Sequence, residues 1–389
     1  MAEESSPQPH FHVEGACDIR SFERLLHSAR TEKSAYPLAS RVDSEVLIYD
    51  RRTLEAAAPR EVKVEIVRAL TEGPGIVVIR NAFADLGILA AVSEAFQEIV
   101  RQEAGQTAGD HFAAAGSNTR IWNSLEKLGV LDPGAFCRYF SNPTLALVSE
   151  AYLGPGYAVT AQVNIVHPGG SGQEPHLDYH LGFRTNEEVE AFPAHAHLVS
   201  SLLTLQGAVA HSDMPIESGP TQYLPHSHKY RPGYLAWRQQ PFKDYFKAHH
   251  VQLPLVAGDA VFFCPALFHA AGPNTTRDMH REGHLLQISS AFGRPMETVD
   301  RSRLSSAIYP QLLLLRSAGT MSDQDLERII AAGSDGNPFP SNLDREAPRP
   351  GGLAPPSQGE LMRQALQEGW SPEAFDSALQ TQDQRRRSA

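Results

Sequence analysis

Two short segments constrain this chain more than any other feature: EPHLDYH, which holds His176 and Asp178, and FFCPALFHAAGPN, which carries an apolar run up to His269. Together they supply two imidazoles and one carboxylate, the donor set that holds non-haem Fe(II) on one face and leaves positions open for a cosubstrate and O₂. In an extended segment successive side chains alternate in direction, so His176 and Asp178 can address one metal while Leu177 points away. The third ligand has to arrive on another strand. Ala260 to Cys264 reads as a buried strand that delivers the chain to His269 just beyond it. The long interval between Asp178 and His269 accommodates the further strands needed to close a barrel around the three. By itself a His-x-Asp pair carries little weight in a chain with 17 histidines, because most polar side chains are solvated or satisfied within the core. Its weight comes from the residues around it.

After His269 the chain runs AAGPNTTRDMHREGHLLQISSAF, with Arg281 at the head of what reads as the next strand. A guanidinium there can clamp a carboxylate with its planar fork of donors. Between the ligand segments lies SGPTQYLPHSH, in which Gly219 and Pro220 make a tight turn and Thr221 begins a strand ending near Pro225. With these stretches in view, the region from about Gly75 to Gly293 resembles the phytanoyl-CoA dioxygenase family of Fe(II)- and 2-oxoglutarate-dependent oxygenases, whose members carry QxxHxD, a GxTxxxPGSH-like stretch and HxxGxNxxxxxR. The resemblance implies a mainly β fold with flanking helices, a double-stranded β-helix or jelly-roll, cupin-like barrel. It implies His176, Asp178 and His269 as iron ligands, with Gln173 and Thr221 near the 2-oxoglutarate and Arg281 on its distal carboxylate. Arg120, in SNTRIWNSL, stands where the family often has a basic residue reaching the cosubstrate, on a loose alignment. Two departures stand out: PGSH reads PHSH here, with His226 in place of glycine, and the interval from His269 to Arg281 is one residue longer than usual. The second makes Arg277 a competing candidate; Arg281 is favoured because it immediately precedes the apolar strand.

Bland roles compete with these. Arg281 could be an exposed strand-edge charge, Thr221 a turn hydroxyl and Gln173 a solvated loop residue. His180, His226 and His228 could line the pocket, but read more naturally as structural or solvent-facing, and nothing singles out His195, His197 or His211. A formal net charge of −11 with no basic stripe disfavours nucleic acid as a partner. The terminal run Arg385 to Arg387 reads as a solvated tail. Three scattered cysteines, Cys17, Cys137 and Cys264, form neither a disulfide framework nor a zinc site and fit a reducing compartment. With no signal-type segment and no apolar run near ~20 residues, the expectation is a cytoplasmic protein that does not span a membrane. The C-terminus is not a peroxisomal SKL-type address, although the family's namesake works in peroxisomes.

Along the chain, residues 1–16 read as disordered and residues 17–333 as one oxygenase domain with its barrel core at about 157–293. Thr53 to Glu72 predicts a helix ending at Gly73-Pro74, Gly75 to Phe83 a buried strand, and Asp85 to Arg101 a second helix. The small, polar stretch from Gln102 to Asn118 reads as a mobile loop. Tyr157 to Val166 predicts a strand leading to the ligand pair, while the insertion Arg184 to His197 and a helix at Tyr234 to His249 are candidate substrate-contacting elements. Helical patterns at Gln311 to Arg316 and Ser322 to Ala332 give way to a Pro- and Gly-rich linker. Helices at Gln358 to Glu368 and after Ser371 close a tail, residues 334–389, that could cover the barrel mouth, build a homodimer interface or simply pack on the surface.

The mechanism implied by the resemblance couples decarboxylation of 2-oxoglutarate to hydrogen abstraction from a small organic substrate, the protein contributing position and exclusion of water. A retained carboxylate at Asp178 points to hydroxylation, desaturation or ring chemistry rather than halogenation, for which relatives carry a small residue there. A secondary metabolite such as a polyketide or terpenoid is the favoured substrate, because the basic surface expected for an acyl-CoA is not evident. The different-class alternative is a cupin-like zinc hydrolase, or a binding protein without turnover. Arg281 and Thr221 discriminate, since a hydrolase has no use for a 2-oxoglutarate clamp.

Overall fold

The computed structural model describes residues 10–104 and 116–388. Eleven strands are present among them: β1 (Arg41–Asp43), β2 (Val46–Asp50), β3 (Ile76–Arg80), β4 (Asn118–Ile121), β5 (Ala158–Val166), β6 (Thr204–Ala210), β7 (Gln222–Tyr223), β8 (Val251–Gln252), β9 (Ala260–Phe263), β10 (His269–Ala270) and β11 (Arg281–Ser289). Eight form a large sheet in the order β1-β2-β3-β9-β6-β11-β5-β4, and three form a small sheet in the order β10-β7-β8. Every pairing is antiparallel except β2 with β3. Single bridges add to the small sheet, His176 to His269 beside β10 and Met214 to Leu255 just past the end of β8 in the chain. This pair of sheets is the jelly-roll, cupin-like architecture, with helices laid against the outer face of the large sheet.

Alternation along the strands explains why the site lies between the sheets. Leu47, Tyr49, Val77, Ile79, Ala260 and Phe262 turn outward into the main core with the helices. Their neighbours Val46, Ile48, Ile76, Val78, Val261 and Phe263 turn inward and join Tyr223, Leu253 and Leu255 of the small-sheet side in a separate apolar cluster. A period of two thus serves two cores from one sheet. Towards β6, β11 and β5 the inward positions become Gln206, Gln287, Gln162, Asn164 and Arg281, and here the space between the sheets opens into a cavity of about 510 Å³.

Several local readings need correction. The helix expected over Thr53 to Glu72 is two helices, Arg51–Ala56 and Pro59–Thr71. Pro59 is tolerated at the first helical position but holds the preceding Ala58 extended, which breaks the run. The helix expected over Tyr234 to His249 is likewise two, Gly233–Ala236 and Gln240–His249, the second starting with Pro241 in its first turn. Conversely, the pattern read from Gln311 onward belongs to a helix that begins at Arg301, capped by Asp300, and runs through Pro310 to Ser317. Residues 10–16, expected to lack structure, carry a bridge from Phe11 to Pro193 and a short 3₁₀ turn at Glu14–Ala16. Residues 1–9, and residues 105–115 of the loop expected between Gln102 and Asn118, lie outside the described residues.

The tail is part of the main core rather than an appendage. Helices Gln358–Glu368 and Pro372–Arg386 follow the irregular Pro- and Gly-rich stretch, and bury Met362, Ala365, Leu366, Phe375 and Leu379 in the same cluster as Leu304, Ile308 and Leu312. Phe375, fully buried, stacks on Tyr309 at a ring separation of 4.1 Å. Phe375→Ala should therefore destabilise the whole domain by about 3–5 kcal/mol, read as a lower midpoint in a single cooperative denaturation curve. Two separate transitions, with only the later one unchanged, would show that the tail folds apart from the barrel.

Candidate active site

His176, Asp178 and His269 converge at the cavity wall, each offering one donor atom, with these atoms all within 4.8 Å of one another. Among the described residues this is the single cluster of its kind. The two histidines are joined by the backbone: His176 N donates to His269 O at 2.9 Å and His269 N to His176 O at 3.2 Å, which brings the rings to a centroid separation of 4.4 Å. Asp178 follows two residues later, its N–H donating to Pro265 O at 3.1 Å. Leu177 turns the other way into an apolar cluster with Phe22, Tyr234 and Phe268, as the alternation requires.

Both imidazoles are oriented by their own chain. Nδ1 of His176 lies 2.9 Å from Glu174 O and Nδ1 of His269 lies 2.9 Å from Leu267 O. A carbonyl only accepts, so Nδ1 carries the proton in each ring and Nε2 presents its lone pair to the cavity, the arrangement a metal-ligating histidine needs. Burial, together with the neighbouring His269, holds His176 below the ordinary imidazole range and so favours its neutral form. Asp178 behaves oppositely. Burial works against its ionisation, but whenever the neighbouring rings are protonated a hydrogen bond from His269 and the charges of His176 and His269, together with a bond from Gln206, outweigh it and keep the carboxyl well below the usual carboxylate range. Two neutral nitrogens and one anionic oxygen on one wall fit a divalent iron ion.

Arg281 opens β11 and is only 7 % exposed. Its Nη1 donates to Ser218 O at 3.3 Å, and among the described residues no carboxylate lies within ion-pair distance of it. Burial lowers its pKa to about 10, with Tyr223 acting in the other direction, so it stays cationic at neutral pH. A buried, uncompensated guanidinium on a cavity wall matches what a dicarboxylate cosubstrate requires. Thr221 and Tyr223 line the same part of the cavity. Gly219, just before them, has a φ of +72°, and a side chain there would run into the carbonyls of Gly272 and Pro273, so only glycine makes this turn.

The remaining expected residues divide. Gln173 reaches the cavity and is tied to Ala271, accepting from its N–H at 3.2 Å and donating its own backbone N–H to Ala271 O at 2.8 Å. Arg120, on β4, lines the cavity, donates to Gln162 Oε1 at 2.9 Å and lies over the Trp122 ring. Arg277 is exposed and does not line the cavity. No residue of the Arg184 to His197 insertion lines it, whereas Trp237, from the Tyr234 to His249 segment, does. His180 is held by Arg294 O and His228 by Thr71 O, away from the cavity. His226, the substitute for the family's glycine, keeps a left-handed φ of +67° and packs against Thr31, Lys229 and Glu45 instead. Sequence reading missed Gln206, which donates to Asp178 Oδ2 at 2.5 Å, and Gln162, Asn164 and Gln287 beside it. The available signal was a run of amides at inward positions of strands that are otherwise apolar.

The chain is similar to several known proteins. Dioxygenase andF of Emericella variicolor is 23% identical over 249 residues, which cover 62% of this chain and 79% of that protein. Among solved structures, the non-heme alpha ketoglutarate dependent carbocyclase SnoK from nogalamycin biosynthesis is 22% identical with a TM-score of 0.46, covering 64% of this chain and 92% of that one. HygX from Streptomyces hygroscopicus, solved with nickel, 2-oxoglutarate and hygromycin B, is 15% identical with a TM-score of 0.41, covering 60% and 90%. The family model for phytanoyl-CoA dioxygenase (PhyH) matches residues 71–283. That match spans more than half of the chain and takes in every candidate ligand, and the protein belongs to the phytanoyl-CoA dioxygenase family of iron- and 2-oxoglutarate-dependent oxygenases.

Proposed function

We propose that this enzyme hydroxylates, desaturates or rearranges a small organic molecule of secondary metabolism, using Fe(II) held by His176, Asp178 and His269 and 2-oxoglutarate held at its far carboxylate by Arg281. The observation that carries this reading is the buried Arg281 guanidinium, without a carboxylate partner among the described residues, on the wall of the same cavity as the His–Asp–His cluster. A hydrolytic zinc site gains nothing from such a cation. Iron with bound 2-oxoglutarate supplies O₂ activation, coupled to release of succinate and CO₂. The chain's own part is to hold the two imidazoles by Nδ1, to keep Asp178 ionised and to neutralise the cosubstrate's distal charge. Gln173 and Thr221 border the cosubstrate, and Arg120 stands on the wall beside Gln162.

The rest of the wall indicates the substrate class. Phe183, Trp237 and Met296 give an apolar surface and Gln162 and Gln287 a polar one, a mixture suited to a compact oxygenated scaffold. Lys243 and Lys247 share the single carboxylate of the wall residue Glu174 at 3.6 and 3.7 Å, which leaves one net positive charge there, short of the basic surface that the phosphates of an acyl-CoA call for. The test is an anaerobic loading with Fe(II) and 2-oxoglutarate, followed by O₂ and a panel of polyketides, terpenoids and acyl-CoA thioesters, with succinate as readout. Stimulation by a polyketide or terpenoid is expected. Stimulation confined to the thioesters would move the enzyme to acyl-CoA oxidation, and no succinate under any condition would remove the oxygenase assignment for this site.

A further inference from the structure

We propose that Gln206 is the positioning residue for the Asp178 carboxylate, and through it for the metal centre; the inference rests on the ligand reading above. Asp178 lies on the segment after the His176 bridge, outside the regular strands, and its backbone is tied to Pro265 O. Its carboxylate is therefore not oriented by strand geometry, and the torsion that turns it is intrinsically broad. Gln206 supplies what the local chain lacks. It sits in mid-strand on β6, which is paired with β9 on one side and β11 on the other. It is 5 % exposed and reaches into the cavity to donate Nε2–H to Asp178 Oδ2 at 2.5 Å. The same oxygen lies 3.4 Å from His269 Nε2, so the amide holds the carboxylate towards the histidine with which it would share a metal.

The other end of the side chain separates this role from ordinary core packing. Gln206 Oε1 is buried without a hydrogen-bond partner among the described residues. A glutamine placed only to satisfy the core would pair both ends, because a buried orphan acceptor is costly. Here the side chain leaves one end unpaired while the other is committed to Asp178. An amide also donates at any pH and adds no charge beside the cation site, unlike lysine or histidine.

The test uses the full chain and Fe(II) alone, titrated anaerobically by calorimetry, so that it needs no substrate. Gln206→Met removes the donor at nearly constant volume, and Gln206→Leu removes it with a shorter apolar side chain. Both should weaken Fe(II) binding about 10- to 100-fold, the range for loss of a partner to a metal ligand. Thr204→Val, which removes a buried hydroxyl from the same face of the same strand, should bind as the wild type does, and thermal unfolding of the metal-free proteins identifies any variant that fails to fold. If Gln206→Met does not fold, Gln206→Leu decides. Unchanged Fe(II) affinity in a folded Gln206 variant, alongside loss in His176→Ala, would overturn this proposal and leave the ligand assignment standing. Unchanged affinity in His176→Ala as well would overturn both.

Discussion

Asp178→Ala is expected to fold and to release no detectable substrate-coupled succinate, and His176→Ala to behave the same way. Removing the carboxylate leaves two neutral imidazoles to face a divalent cation in a largely buried site, where an uncompensated charge is strongly disfavoured. Removing His176 takes away a nitrogen whose lone pair is aimed by the Nδ1 bond to Glu174 O. The remaining donors cannot hold the ion on one face with open positions opposite. The measurement is succinate formed per enzyme with and without substrate, alongside far-ultraviolet circular dichroism to show that the fold persists. Near-normal coupled turnover in either variant would sink the ligand assignment.

Arg281→Met should raise the 2-oxoglutarate requirement by about two to three and a half orders of magnitude. Loss of one partner of a buried charge pair costs roughly 3–5 kcal/mol, and each 1.4 kcal/mol is tenfold in affinity. Methionine retains much of the apolar stem, so the wall of the cavity is preserved and the effect reports the lost charge. Arg277→Ala should change the requirement by less than about fivefold, since an exposed charge contributes about 1 kcal/mol or less. Titration of 2-oxoglutarate into each Fe(II)-loaded protein distinguishes them. Reversal of the two results would show that the chain after His269 delivers Arg277, not Arg281, to the cosubstrate.

The His–Asp–His cluster was legible because its chemistry is written in residue types and short-range spacing. His176 and Asp178 are two apart on an extended segment, and that periodicity alone puts them on one side with Leu177 opposite. His269 could be picked out from the other histidines because a buried run leads into it and Arg281 heads the strand that follows. Helix ends were less legible. Pro59 divides one helix while Pro310 passes inside another, and the local pattern reads the two prolines alike.

What the sequence by itself determined, then, is the donor set, the strand periodicity and the family, all of which depend on residue identity at fixed short separations. Only the tertiary structure separates Arg281 from Arg277, placing the first buried on the cavity wall and the second exposed, because the two differ in burial and not in chemistry. It also decided that the C-terminal helices share the main core, that the Arg184 to His197 insertion does not line the cavity of the His–Asp–His cluster, and that Gln206 meets Asp178. Each of these depends on elements far apart in the chain, and the alternation that points a side chain inward says nothing about which partner will be waiting across the barrel.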